Sequence, residues 1–200
     1  TNPIPYYGML NDSIGYICIS TFSVEGCSKE IKRAFIELKQ QGATSMVLDV
    51  RGNGGGLLSE AVNVVNFFVP KGLEVVKTKG KFKQWDHSYR TSNEPIDLEI
   101  PLVILVDGIT ASASEILSGS LQDLDRAVIV GNRTYGKGLV QSQIPLSDGS
   151  AIRLTVARYY TPTGRSIQKP YTRGEAYYGD DIVERYEHGE LFSADSVRFA

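Results

Sequence analysis

The pattern of apolar and polar positions switches between two periods along the chain. Ile14 to Ser20 is a short strand-like run. Ile31, Ala34, Phe35 and Leu38 then recur at i, i+3, i+4 and i+7, one face of an amphipathic helix, and Gly42 stands where a helix C-terminal cap is expected. Met46 to Val50 is an apolar run of the kind found in strands buried on both faces. The glycines of Arg51-Gly-Asn-Gly-Gly-Gly56 follow, then a second helical pattern through Leu58, Ala61, Val62, Val65 and Phe68, stopped by Pro70 and Gly72. Leu73 to Thr78 reads as a strand, and 79–99 as a polar, irregular excursion over the surface. Leu102 to Val106 is the second fully apolar strand, ending in a turn at Asp107-Gly108.

A helix is predicted from Ala113 to Leu124, with Ile116, Leu117, Leu121 and Leu124 on one face, and Ala127 to Val130 reads as a third buried strand. Val140 to Leu146 and Ala151 to Tyr160 flank Asp148-Gly149, a hairpin signal. The alternation of strand and helix predicts right-handed crossovers and a mostly parallel sheet. The expectation is one α/β domain over 1–170. Residues 171–200 form an extension rich in tyrosine and charge, without a clear period or an assignable role.

Composition acts mainly by exclusion. An apolar content of 42% suffices for a core. With 21 basic and 23 acidic residues the net charge is −2, so no field attracts nucleic acid. No apolar run approaches the roughly 20 residues that span a bilayer. The two ends look like those of a segment cut from something longer, so the sequence itself carries no address. Cys18 and Cys27 are the only cysteines. Without a Cys/His cluster no metal site is expected, and no cofactor either. Cys18 reads as a small buried hydrophobe, with a disulfide to Cys27 as the open alternative.

Three segments carry candidate chemistry. Thr110-Ala-Ser-Ala-Ser-Glu115 follows a buried strand and opens a helix, where free backbone N–H groups favour a developing negative charge. A serine there serves equally as an ordinary N-cap, and Ser114 suits that role. The glycine loop 52–56 lets backbone N–H groups approach a ligand, which fits a phosphate or an oxyanion alike. It lacks the Gly-Lys-Ser/Thr ending of a P-loop. In Thr134-Tyr-Gly-Lys137-Gly-Leu-Val-Gln141, a lysine between glycines can enter a cleft, be desolvated by Leu139 and Val140, and be oriented by Gln141; a solvated turn lysine is the alternative. His87 and His188 both lie away from the ends of core strands. A Ser–His–Asp triad is therefore poorly supported, and a nucleophilic Ser112 would take a lysine as base.

Together Asp49-Val-Arg-Gly-Asn-Gly-Gly-Gly-Leu-Leu58, Thr110-Ala-Ser-Ala-Ser-Glu-Ile116 and Gly136-Lys-Gly-Leu-Val-Gln141 resemble the signature blocks of the carboxyl-terminal processing peptidases, or tail-specific proteases, of serine peptidase family S41. The similarity runs over about 12–170, in the same order along the chain. The resemblance implies a crotonase-like, ClpP-like α/β core of ββα units with an added β-hairpin. It implies Ser112 as nucleophile, Lys137 as base and Gln141 in support, with an oxyanion hole from the N–H groups of Ala113 and of Gly55 or Gly56. The implied reaction is endopeptidase cleavage near the C-terminus of proteins or peptides with accessible tails, in the bacterial periplasm. Two departures stand out: Gly54 occupies a position where the family often has proline, and the PDZ domain and helical flanking parts usual in the family are not in these 200 residues. A non-catalytic binding module of the same fold, for peptide or apolar ligands, is the alternative. A crotonase-type acyl-CoA enzyme would need acidic catalytic residues and a CoA-binding face that cannot be recognised.

Overall fold

A period of two along the apolar strands decides the architecture. Gly15 and Ile17, Met46 and Leu48, and Leu102, Ile104 and Val106 are buried, while the residues between them are less so, apart from Asp49. One face of the sheet is therefore covered more completely than the other. The computed structural model describes residues 2–170 together with Val183, Tyr186 and Glu187. Apart from those three, the extension 171–200 lies outside the described residues.

In chain order the elements are β1 (Tyr6–Met9), β2 (Ile14–Cys18), α1 (Cys27–Gln40), β3 (Ser45–Asp49), α2 (Leu58–Asn66), β4 (Glu74–Gly80), β5 (His87–Arg90), β6 (Leu102–Val106), α3 (Ala113–Asp123), β7 (Val128–Gly131), β8 (Leu139–Pro145) and β9 (Ala151–Tyr160). They form a five-stranded sheet in the order β1-β2-β3-β6-β7 and a four-stranded sheet in the order β5-β4-β9-β8. In the first sheet β2, β3, β6 and β7 run parallel and β1 pairs antiparallel with β2. The second sheet is antiparallel throughout. The mixed α/β class and the mostly parallel main sheet agree with the sequence reading.

The helices bury the residues that the periodicity selected: Ile31, Phe35 and Leu38 from α1, Ala61, Val64 and Val65 from α2, and Ile116, Leu117 and Leu121 from α3. The rings of Phe35 and Phe68 meet edge to face with centroids 5.4 Å apart, a favoured aromatic geometry. Helix α1 begins at Gly26 without a side-chain cap of its own. The buried Glu60 of α2 replaces it, accepting the Gly26 N–H at 2.9 Å and the Ser28 N–H at 2.8 Å. A carboxylate there also suits the helix dipole.

Four expectations change. Strands β1 and β5 were not expected; Tyr-Tyr-Gly-Met and His-Ser-Tyr-Arg carry no apolar alternation, and each pairs as the last strand of its sheet. The stretch 79–99 is accordingly less irregular than its polarity suggested. Strand β7 is an edge strand rather than a buried one, with Val128 62% and Val130 47% exposed. Nor are β3 and β6 buried on both faces. The row Tyr16, Val47, Val103, Val128 and the row Cys18, Asp49, Leu105, Val130 lie in register on the face away from the helices. Apart from Asp49 these residues are half-buried or exposed, so no layer of the described residues covers that face fully. Both cysteines are free thiols; Cys18 is half-buried on this face and Cys27 is buried at the start of α1.

Candidate active site

Strands β3 and β6 are parallel neighbours, so the glycine loop after β3 and the serine turn after β6 leave the same edge of the sheet side by side, where open α/β sheets hold their sites. Side chains and backbone join them. Asp107 accepts the Gly52 N–H at 3.0 Å, the Thr110 hydroxyl donates to the Val50 carbonyl at 2.9 Å, and the Ala111 N–H donates to the Asn53 carbonyl at 3.1 Å. Asp49 fixes the root of the loop, accepting the Arg51 backbone N–H, the Arg51 guanidinium and, at 2.6 Å, the Tyr16 hydroxyl. Burial pushes the Asp49 carboxyl up, but the hydrogen bonds from Arg51 and Tyr16 outweigh it and leave the group below its ordinary 3.8. The Tyr16 phenol is pushed up to about 12 by burial and by its bond to that carboxylate.

Ser112 is the N-cap residue of α3, with φ 57° and ψ −117°. An ordinary N-cap lies in the extended region. These angles fall outside the regions open to residues with a side chain, and such strain persists where surrounding structure imposes it, often at functional sites. The serine is half-buried. Ser114 is not the cap: it lies inside α3, fully buried, and its hydroxyl has no hydrogen-bond partner among the described residues.

The glycine loop presses against this turn. A Cβ on Gly55 would lie 2.7 Å from the Ala111 carbonyl oxygen, 2.8 Å from Ser112 Cβ and 2.9 Å from the Ala113 nitrogen, so only glycine fits there. The Gly55 N–H is engaged, donating at 2.9 Å to Oδ1 of the fully buried Asn53, whose Nδ2 donates to the Ile19 carbonyl. The N–H groups of Gly54, Gly56 and Ala113 have no acceptor among the described residues. Ala113 is the first residue of α3, so its N–H has none within the helix either. The turn thus offers the Ala113 N–H next to a strained serine, with the glycine loop packed against it, an arrangement able to hold an oxyanion.

The third segment leaves β7 and returns past the serine turn. Tyr135 donates its N–H to the Thr110 carbonyl at 2.9 Å. The carboxylate of Glu115 accepts the Ser112 N–H at 2.8 Å and the Lys137 N–H at 2.9 Å on the same oxygen, Oε2. The nucleophile candidate and the base candidate are therefore neighbours in backbone. Their side chains share no hydrogen bond. Lys137 is exposed, and its amine makes neither a hydrogen bond nor an ion pair to a described residue. Gln141, also exposed, pairs with Thr155 just beyond a bulge between β8 and β9. Among the described residues no cluster of His, Cys, Asp and Glu could hold a metal ion.

Asn53, Asp107 and Glu115 were not singled out from the sequence. For Glu115 a signal existed, the Ser-x-x-Glu spacing of a capping box starting at Ser112. Asn53 and Asp107 act through backbone groups distant in sequence and left no such signal.

Comparison with known proteins gives a consistent result. The profile described as "Peptidase family S41" matches residues 13–174. The carboxyl-terminal-processing protease of Synechocystis sp. is 43% identical over 189 residues, covering 94% of this chain and 42% of that protein. The chloroplastic C-terminal processing peptidase of Tetradesmus obliquus is 42% identical, covering 81% of this chain and 34% of that one. A solved structure titled photosystem II D1 C-terminal processing protease superposes with a TM-score of 0.74 at 38% identity, over 84% of this chain and 46% of that chain. The chain thus spans less than half the length of these relatives.

Proposed function

The chain belongs to peptidase family S41, and on that premise we propose that it hydrolyses peptide bonds near the C-terminus of protein substrates through an acyl-enzyme, with Ser112 as nucleophile and Lys137 as general base. The observation that carries the proposal is the backbone of Ser112, held at φ 57° at the start of a helix, with Gly55 of the glycine loop packed against its turn.

In the proposed reaction neutral Lys137 takes the proton of the Ser112 hydroxyl as its oxygen attacks the scissile carbonyl. The Ala113 N–H and a glycine-loop N–H stabilise the tetrahedral oxyanion, an effect worth about 3 kcal/mol per donor. Of the two glycines implied by the resemblance, Gly56 has an N–H without an acceptor among the described residues, while Gly55 would first have to release Asn53. Lys137 then returns its proton to the leaving amine, and water, with the lysine again as base, clears the acyl group. A free amine titrates near about 10.4. An exposed lysine therefore needs desolvation, which substrate covering Lys137 and Gln141 would supply. Gln141 orients the amine in this reading.

Substrates are proteins with accessible C-termini, and the setting we propose is the bacterial cell envelope, on the periplasmic side. Bacterial relatives named as processing proteases support the bacterial part of this setting. Among the described residues no helix is long and apolar enough to cross a membrane. A binding module of the same fold is favoured by one observation, the exposed Lys137, whose amine has no partner among the described residues.

Hydrolysis of casein by the chain and by its Ser112→Ala and Lys137→Ala variants decides between them. Activity that requires both residues and rises with pH, as the base loses its proton, is the expected result. Turnover retained in either folded variant sinks the assignment.

A further inference from the structure

Resting on the peptidase reading, we infer that Glu115 is a positioning residue that sets the base loop against the nucleophile. It is the third residue of α3, with only 4% of its surface exposed. A carboxylate offers about four acceptor sites, and all four are occupied. Oε1 accepts the Thr134 hydroxyl at 2.7 Å and the Gly136 N–H at 2.6 Å. Oε2 accepts the Ser112 N–H at 2.8 Å and the Lys137 N–H at 2.9 Å. One donor comes from the serine turn and three from the lysine loop.

A structural helix cap would need only the first of these bonds. The other three reach residues nineteen to twenty-two positions further along the chain. On one side of the loop, Thr134, Tyr135 and Gly136 form part of the wall of a cavity of about 540 Å³, together with Arg133, Ser118 and Lys169; on the other, Gly138 packs against Ile167 and Gln168, and the Gly136 carbonyl accepts the Lys169 N–H at 3.1 Å. Gly136 adopts φ 82°, a left-handed conformation that favours glycine at this turn. On the serine side, the bonds to Glu115 are what fix where Lys137 leaves the backbone relative to Ser112. Bonds to a charged acceptor are about twice as strong as neutral ones.

Glu115→Gln is the informative change because it keeps the size and removes the symmetry. An amide presents one acceptor oxygen and one NH₂ group, and the NH₂ group must face one of the two donor pairs. The hydroxyl of Thr134 can turn to accept, but the Gly136 N–H cannot, so that bond is lost. Misplacing a reacting group by about 1 Å costs on the order of a hundredfold in rate. In this chain, Glu115→Gln is expected to lower kcat about ten- to a hundredfold at nearly unchanged KM, and to shift the rising limb of the pH–rate profile, where the base loses its proton. Thr134→Val removes one donor only and should give a smaller change of the same kind. Unchanged kcat in Glu115→Gln overturns the inference, as does a fall in rate with an unshifted pH profile. Amide hydrogen exchange at Gly136 and Lys137 gives a readout independent of catalysis. Faster exchange at both in the folded Glu115→Gln chain is expected, and exchange equal to that of the unaltered chain overturns the inference even if no peptidase activity is found.

Discussion

Ser112 holds its strained backbone because everything around it is bonded elsewhere: Glu115 holds its N–H, and its carbonyl accepts from both Glu115 and Ile116. Such conformations cost about 1–3 kcal/mol. Glycine adopts them freely but loses about 0.5–1 kcal/mol through the unfolded chain. Ser112→Gly is therefore expected to be inactive yet as stable as the original or up to about 2 kcal/mol more so, read as the midpoint of urea unfolding. A loss of stability would show that the turn is not strained. Gly55 is the reverse case. Gly55→Ala forces a Cβ within 3 Å of three atoms of the serine turn at φ 99°, and is expected to abolish hydrolysis and cost about 1–3 kcal/mol. Stability and activity both preserved would mean the loop can move aside. At this scale the sequence was partly legible. Ser112, Lys137 and the glycines were picked out by residue type and place. Asn53 was not, because a buried amide that fastens a loop by its own ends looks like any polar loop residue until the chain is folded.

The elements are tied together by carboxylates, and this gives the fold a pH signature. In Asp49, Asp97 and Asp123 burial raises the carboxyl, but hydrogen bonds from Arg51 to the first, from Lys39 to the second, and from Thr163 and Arg165 to the third, with other donors, bring each below its ordinary 3.8; Glu60 is likewise held below 4.5. A carboxyl with a lowered value in the folded state stabilises the fold fully above its unfolded value, and that contribution is lost as pH falls through the folded value. Thermal midpoints should thus stay level above about pH 5 and fall steeply below pH 4. Asp49→Asn should be less stable near neutrality and show a shallower acid slope; an identical slope would remove Asp49 from the explanation. Glu60→Gln should loosen the start of α1, at about 1 kcal/mol, the usual worth of an N-terminal cap. The helices and the central strands were legible because each carries its own period. The edges were not: β1 and β5 are specified by the neighbour they pair with, and an apolar run such as β7 does not announce whether one face or two will be covered.

At the scale of the described residues as a whole, the two sheets and the helix layer leave one surface out of balance. Parallel sheets are generally covered on both faces, yet Tyr16, Val47, Val103, Leu105, Val128 and Val130 form a nearly continuous apolar patch on this one. Patches of that kind mark surfaces that meet something else or, failing that, each other. The practical consequence is colloidal. A solution of this chain is expected to bind the dye ANS while fully folded and to scatter more light as concentration or sulfate rises. Val130→Glu should quieten both without lowering the thermal midpoint. If so, the limit on how strong a stock can be made lies in a handful of valines on one wall and not in the stability of the fold, and a vial that turns cloudy would still hold native molecules.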